Sequence, residues 1–174
     1  MATSSLPPAD PASPQAPEYR LLTRVADQVA AIDELIALAA CSIRVFDRDL
    51  SQWGWETRAR NAALLAFLKR SHDARLDIIV HDTRWLEASC PRLTGLLQHW
   101  SHAITIYRTG LGASGAADPM VLVDDRHYLH RFQFDQPRAA LGLAMPNDAR
   151  PLVERFAEIW ATGEPGLSGT TLGL

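Results

Sequence analysis

The sequence predicts an α/β fold in which a mixed β-sheet is flanked by helices. Stretches with the apolar spacing of a helix alternate with short apolar stretches through residues 22–107. Further short apolar stretches, joined by tight turns, follow between residues 120 and 145, and a last amphipathic stretch ends near a Gly and a Pro. Alternating helices and strands form parallel sheets, whereas strands joined by tight turns pair antiparallel. The sheet is therefore expected to contain both kinds of pairing.

The chain divides into a leader and one domain. Residues 1–18, MATSSLPPADPASPQAPE, are rich in Pro, Ala and Ser and offer almost nothing to bury. This composition predicts a disordered leader, or a linker that follows another domain. Residues 19–174 are long enough for a single domain with a sizeable core and too short for two ordinary domains.

The predicted helices follow from apolar residues spaced three and four apart. A second helix is predicted within residues 62–70, and a third within residues 84–100 is interrupted, because Pro91 must lie in a first turn or at a break. The last helix begins near residues 147–151 and stops at Gly163. The first helix carries the stripe Leu22, Val25, Val29, Ile32 and Ile36, and the last is expected to bury Leu152, Phe156, Ile159 and Trp160.

Short apolar runs bounded by turn residues predict the strands. A polar loop with Trp53 and Trp55 follows the first of them, and these rings are either a stacking platform for a ligand or anchors of the loop on the core. The predicted strands are SIRVF (42–46), RLDIIV (75–80), AITIY (103–107), MVLVD (120–124), HYLHRF (127–132) and AALGLAM (139–145).

Charge argues against nucleic acid and membrane surfaces as partners. The formal net charge is -3, and Asp10 and Glu18 in the leader supply two of the negative charges. A nearly neutral body lacks the positive field that attracts either polyanion. Arginine is spread along the chain, and Lys69 is the only lysine.

The lack of a membrane span or secretory signal, together with the cysteine usage, predicts a cytoplasmic protein. No apolar run approaches the length of a membrane span, and no Lys or Arg precedes Arg20, as a secretory signal would require. Cys41 and Cys90 lie far apart and form no metal-ligand pair. We expect both to be reduced, packed thiols, and we expect neither a metal nor another cofactor.

Residues 117–132, ADPMVLVDDRHYLHRF, hold an apolar strand, an acidic turn and a second strand. In this stretch Asp118, Met120 and Asp125 have the spacing of His-x-Lys, four residues and Asp, which is the signature of the phospholipase D superfamily. The order of elements over residues 20–174 also resembles one half of that superfamily. The resemblance implies a phospholipase D-like half-domain.

The same resemblance shows what is missing. In such enzymes a histidine attacks phosphorus and forms a phospho-histidine, while lysines stabilise the charge on the phosphoryl oxygens. Asp118 at the histidine position is a poor nucleophile whose charge repels a phosphodiester, and Met120 at the lysine position carries no charge. The sequence therefore predicts a catalytically inactive phospholipase D-like domain, not an enzyme, that serves as a binding, regulatory or assembly module.

The resemblance implies two kinds of protein partner. Single-motif members of the superfamily pair about a two-fold axis, which predicts a homodimer with Asp118 and Asp125 near the interface. Similar bacterial domains are joined to acetyltransferases of the GNAT type. An acetyltransferase or another protein is therefore an expected partner, reached through the leader.

A second hypothesis is a protein that binds a small phosphoryl or carboxylate ligand. Arg108, Arg126 and Arg131 lie near the expected cleft in sequence order, and guanidinium groups bind such anions in bidentate fashion. His81 and Asp82 close a predicted strand, where α/β sheets often contact ligands. Neighbouring acids compete for the arginines, and ion pairs with them are the favoured expectation; these acids are Asp118, Asp124, Asp125 and Asp135.

A third hypothesis is a phosphodiesterase whose nucleophile is His127 or His130. Strand residues three apart face opposite sides of a sheet, so the two histidines are not expected to share one substrate or metal. We expect one of them to lie in the core with a satisfied hydrogen bond and the other to face solvent.

Overall fold

The structure is a computed structural model, and the part described here is residues 15–168. Residues 1–14, which make up most of the predicted leader, and residues 169–174 lie outside it. Residues 15–17 are exposed and have no regular structure, and Glu18 begins the first strand. In chain order the elements are β1 (Glu18–Leu22), α1 (Val25–Leu38), β2 (Ser42–Asp47), α2 (Arg58–Arg70), β3 (Arg75–Val80), α3 (Arg84–Ser89), α4 (Pro91–His99), β4 (Ile104–Arg108), a 3₁₀ turn (Leu111–Ala113), β5 (Met120–Val123), β6 (His127–Gln133), β7 (Gln136–Leu143), α5 (Pro146–Ala161) and β8 (Glu164–Leu167).

All eight strands form one mixed sheet in the order β1-β7-β6-β5-β2-β3-β4-β8. β2, β3 and β4 are parallel, as expected for strands joined through helices. β5, β6 and β7 form an antiparallel meander, and β5 joins the two halves by pairing antiparallel with β2. The predicted α/β fold with a mixed sheet between helices is confirmed.

Each face of the sheet buries its own apolar cluster, because successive strand residues point to opposite faces. The α1–α4 face packs Val45, Ile78 and Leu129 against the first four helices. The α5 face packs Met120 and Tyr128, with their neighbours, against α5. The central strands β2, β3 and β5 are covered on both sides, which explains their nearly continuous apolar sequences.

Local sequence explains where three of the five described helices begin. The Thr57 hydroxyl accepts a hydrogen bond from the Arg60 N–H at 3.3 Å and caps α2. Pro91 and Pro146 lie in the first turns of α4 and α5, where a missing N–H costs nothing. The predicted interruption at Pro91 is therefore the boundary between α3 and α4.

The two edge strands were not predicted from the sequence. Leu22 was predicted to belong to the first helix, but it ends β1, and α1 begins only at Val25. β8 contains a Pro and a Gly, residues that are rare in strands except at an edge. In α5, Phe156 and Ile159 are buried as expected, whereas Leu152 and Trp160 are only half-buried.

The two loop tryptophans anchor the loop rather than form a platform. Trp53 and Trp55 are each 1% exposed, and the Trp53 indole N–H donates to Gln28 Oε1 at 3.0 Å. Of the two cysteines only Cys90 is packed, and burial raises the pKa of its thiol to about 12. Cys41 is exposed, so the expectation that both thiols are buried was wrong for this residue.

Within residues 15–168, no helix combines the length and the apolar character needed to cross a membrane.

Candidate functional site

Strand direction brings several sequence-predicted residues to one end of the sheet. β2, β3 and β4 run towards this end, β5 starts there, and β6 returns to it. We call it the motif end, because Asp118 precedes β5 there. Asp47, His81 and Arg108 close β2, β3 and β4 at or beside the same end. The opposite end holds the β5–β6 turn with Asp125 and Arg126.

Asp118 lies in a small cluster of charged side chains at the motif end. Its Oδ2 is 3.6 Å from His130 Nε2, and its Oδ1 is 3.6 Å from Nη2 of Arg155 in α5. Burial alone would raise the pKa of Asp118, but His130 and Arg155 outweigh it and hold that pKa below its usual value. His130 Nε2 is buried and, at this distance, makes no direct hydrogen bond.

The second motif position is part of the core. Met120 is 0% exposed and packs in the α5-face cluster, and it pairs with His130 across β5 and β6. A thioether packed in this way offers no charge to a substrate.

The third motif position lies at the far end of the sheet from the first. Asp124 and Asp125 form a tight turn with φ of 51° and 55°, and the Arg126 N–H donates to the Val123 carbonyl at 3.1 Å. Asp125 is exposed and pairs with Arg44 at 2.6 Å. The three motif positions therefore lie along β5 and the turn after it, and their side chains do not come together in one site.

Asp124 has a structural role that the spacing did not reveal. Its carboxylate accepts hydrogen bonds from the backbone N–H groups of Ala40, Cys41 and Ser42 at 2.7, 2.8 and 2.8 Å. These N–H groups belong to the chain entering β2, so Asp124 joins the β5–β6 turn to the start of the neighbouring strand. The charge-assisted bonds are of the strong kind.

The two histidines of β6 face opposite sides of the sheet, as predicted. His127 is buried, and its Nδ1 accepts a hydrogen bond from the Ala144 N–H at 3.0 Å. Burial and the charge of Arg126 lower the pKa of His127, which favours the neutral ring that can accept this bond. His130 is the histidine that reaches the α5 face and Asp118. Of the two histidines named as possible nucleophiles, only His130 lies beside Asp118.

The three candidate arginines do not form one clamp. Arg108 lies at the motif end and pairs with Glu164 at 3.0 Å. Arg126 lies at the opposite end. Arg131 is 5% exposed and points to the α1–α4 face, where it donates to the Gln136 carbonyl and to Gln52 Oε1, each at 2.6 Å. The three arginines were expected to share one cleft because they are close in sequence, but sequence distance does not show which end of the sheet each residue reaches.

The acids named as competitors pair with groups other than these arginines. Asp118 lies beside His130 and Arg155, and Asp124 binds backbone N–H groups. Asp125 pairs with Arg44 and Asp135 with Arg48, at 2.6 and 3.0 Å. The expectation that these acids pair with Arg108, Arg126 or Arg131 was wrong, because folding brings partners from other elements to each acid.

His81 and Asp82 are engaged within the protein. His81 Nε2 donates to the Ala116 carbonyl at 2.7 Å, and Nδ1 is 2.6 Å from the Thr109 hydroxyl. Asp82 pairs with Arg84 at 2.5 Å, and the hydrogen bonds from Arg84 lower the pKa of Asp82 to about 2. His81 and Arg108 line a cleft of about 550 Å³ beside the loop of residues 109–114.

Asp47 is a titratable group at the motif end that sequence reasoning missed. It is 6% exposed and accepts backbone hydrogen bonds from Arg48 and Leu50 at 2.8 and 3.1 Å. Burial raises the pKa of Asp47 to about 6, although these bonds and the charge of Arg131 oppose the shift. The apolar strand that it closes gave only a weak indication, since Asp at a strand end is common.

The raised pKa of Asp47 predicts how the stability of the fold depends on pH. With a folded-state pKa of about 6 and an unfolded value of about 3.9, the folded state binds more protons between these values. The contribution of Asp47 to the free energy of unfolding therefore grows by about 2 kcal/mol as the pH falls from 7.5 to 4.5. Urea unfolding at both pH values should show this gain in the wild type relative to Asp47→Asn. An equal pH response of the two proteins would show that Asp47 ionises normally.

Among residues 15–168, no group of three or more His, Cys, Asp and Glu side chains is arranged to hold a metal ion.

Comparison with solved structures identifies the class of fold. Nuc from Salmonella typhimurium, a phospholipase D family member, is 18% identical with a TM-score of 0.61, over 88% of this chain and 100% of Nuc. NucT from Helicobacter pylori is 10% identical with a TM-score of 0.56, over 87% of this chain and 100% of NucT. Phosphatidylserine synthase from Haemophilus influenzae is 16% identical with a TM-score of 0.60, over 91% of this chain and 41% of the synthase. The chain therefore has the phospholipase D-like fold, as the motif spacing and element order predicted.

The family is more specific than the fold. Residues 24–168 match the family described as "Domain of unknown function (DUF7931)", and the chain belongs to it. A comparison with curated proteins gives no match.

Proposed function

We propose that this chain is a phospholipase D-like domain without phosphodiesterase activity, which serves as a binding, regulatory or assembly module. The observation that carries the proposal is the burial of Met120 in the core. Phosphoryl transfer depends on positive charge placed against the phosphoryl oxygens. At the position of the motif lysine this chain buries an uncharged side chain in its core.

The surroundings of Asp118 support the same conclusion. A carboxylate replaces the expected nucleophilic histidine, and it lies 3.6 Å from the Arg155 guanidinium and 3.6 Å from His130 Nε2. A phosphodiester entering here would be repelled by Asp118 and would have to compete with it for Arg155. The nearest cation is therefore already offset by Asp118, which disfavours a second anion at this position.

A turnover assay tests the proposal directly. The purified chain is incubated with bis(p-nitrophenyl) phosphate, with and without magnesium, and release of p-nitrophenolate is followed. We expect the rate to equal that of the protein-free control, and His130→Ala to give the same rate. His99→Ala, at an exposed position of α4, is the matched control. Turnover that His130→Ala abolishes and His99→Ala preserves would establish an active enzyme and overturn the proposal.

A second candidate function is the binding of a small anionic ligand in the cleft between His81 and Arg108. The specific observation is that Arg108 is half-exposed and is held by one exposed carboxylate, Glu164. Exposed pairs contribute about 0–1 kcal/mol, so a bidentate anion can displace Glu164. A thermal-shift screen with phosphate and carboxylate compounds tests this function, and Arg108→Gln should remove any shift whereas Arg138→Gln should not. A homodimer and an acetyltransferase partner, both implied by the superfamily resemblance, stay predictions.

A further inference from the structure

A pocket at the opposite end of the sheet combines an aromatic wall with a basic rim. It is lined by residues 68–72, where α2 ends, and by Trp100, His102 and Ala103, which follow α4. Its volume is about 210 Å³. We call it the Trp100 pocket. It is formed by the amino-terminal approach to β3 and β4, so it is separate from the motif end and its charged cluster.

The rim of the Trp100 pocket carries cations that are not neutralised by acids. Lys69 and Arg70 are exposed, and neither makes an ion pair with a carboxylate of residues 15–168. Elsewhere in the same part of the chain nine arginines do pair with Asp or Glu: Arg20, Arg24, Arg44, Arg48, Arg60, Arg84, Arg92, Arg108 and Arg155. His72 and His102 add two exposed imidazole rings to the rim.

Helix geometry explains part of this arrangement but not all of it. Lys69 and Arg70 occupy the last turn of α2, where cations interact favourably with the helix dipole. Arg70 also donates to the carbonyl of Ala39, at the end of α1. The helix dipole leaves the Lys69 ammonium group free for a further partner, since it has no carboxylate partner within residues 15–168. Helix geometry also does not explain why aromatic rings lie beside this group.

The wall and floor of the pocket suit a flat apolar group. Trp100 packs against the α1–α4 face core on one side, and its ring lies 5.6 Å from that of His102 at an angle of 33°. Leu68 and Ala103, both buried, complete the floor. Planar rings stack on Trp and His, and such a contact contributes about 1–3 kcal/mol in nucleotide recognition.

We infer that the Trp100 pocket binds a small molecule in which a planar ring carries a phosphate group. The ring would stack on the aromatic wall that Trp100 and His102 form, and the phosphate would accept hydrogen bonds from Lys69 and from the exposed imidazoles. A compact ammonium group is a common phosphate ligand. The volume suits a mononucleotide fragment rather than a polymer, in agreement with the nearly neutral net charge of the chain. This inference is independent of the proposed loss of phosphodiesterase activity.

Calorimetric titration with AMP and UMP tests the inference. We expect saturable binding of at least one nucleotide, and binding weaker by at least about tenfold for adenosine, uridine and inorganic phosphate, because each offers only half of the interaction. Lys69→Gln should weaken nucleotide binding by about tenfold through loss of one charge-assisted bond. Lys69 is exposed, so this variant is expected to fold normally.

Two control variants determine whether the nucleotide occupies this pocket or another cationic site. Arg58→Gln makes the same change in net charge at the exposed first turn of α2, about 17 Å from Lys69, and should bind like the wild type. Arg108→Gln removes the cation of the motif-end cleft and shows whether that cleft holds the nucleotide instead. Absence of binding by both nucleotides at millimolar concentration would overturn the inference. So would unchanged affinity in Lys69→Gln, or a loss of affinity confined to Arg108→Gln, which would assign the ligand to the other cleft.

Discussion

Replacement of Arg60 by leucine should lower the free energy of unfolding by about 2–3 kcal/mol, measured by urea denaturation. The Arg60 side chain is 1% exposed and lies where α1, α2 and the tryptophan loop meet. Its guanidinium donates to Asp33 at 2.9 Å, to the Val29 carbonyl at 2.8 Å and to the Trp53 carbonyl. Leucine would leave the buried Trp53 carbonyl without its donor, and a buried unpaired acceptor is costly. The Val29 carbonyl lies inside α1 and keeps its helical hydrogen bond.

The matched control for this prediction is Arg58→Leu. Arg58 lies two residues earlier in α2 and is exposed, so its loss should change stability by less than about 0.5 kcal/mol. The Arg60 guanidinium also lies 5.2 Å from the Trp55 ring centre, which adds a cation–π contact. A loss of less than about 1 kcal/mol in Arg60→Leu would mean that the loop repacks and that Arg60 is not its anchor.

Introduction of lysine at Met120 should destabilise the fold by about 3–5 kcal/mol. Met120 is fully buried in the α5-face cluster, and a lysine there must bury an ammonium group or disturb the packing. Met120→Leu keeps the volume and apolar character and should cost less than about 1.5 kcal/mol. Both are measured as changes in the urea midpoint at constant denaturant slope.

The outcome for Met120→Lys bears directly on the proposed function. If the variant were as stable as the wild type, the lysine would have to reach a counter-ion, and Asp118 is the acid on the same face, two residues away. Position 120 would then be able to hold the cation that the superfamily motif requires. A large loss of stability instead supports a site that has been rebuilt as core.

In the candidate site, residue orientation along a strand could be predicted from the sequence, whereas the partners of Asp118 could not. The opposite orientation of His127 and His130 follows from the two-residue period of a strand, and the structure has it. The absence of a nucleophile and of a lysine at the motif positions is likewise a property of the sequence. The partners of Asp118 are not, because Arg155 comes from a helix 37 residues later. Only the docking of α5 on the sheet brings that cation to the motif end.

The remaining differences come from strand direction and burial. Arg108 and Arg126 are close in sequence, yet β5 carries the chain from one end of the sheet to the other between them. Asp47 lies at an ordinary strand end, and only the closure of the loop beyond it removes the carboxylate from water and raises its pKa.

Spacing and residue chemistry are local properties, so the sequence alone was enough to predict the α/β class, the central strands, the helix boundary at Pro91 and the absence of a histidine and a lysine at the motif positions. Tertiary structure alone decided which charges meet. It also decided that β1 and β8 form edge strands, since their pairing energy comes from neighbours far away in the chain. The Trp100 pocket belongs to this second group, because its wall and its rim come from different helices that only the packed sheet brings together.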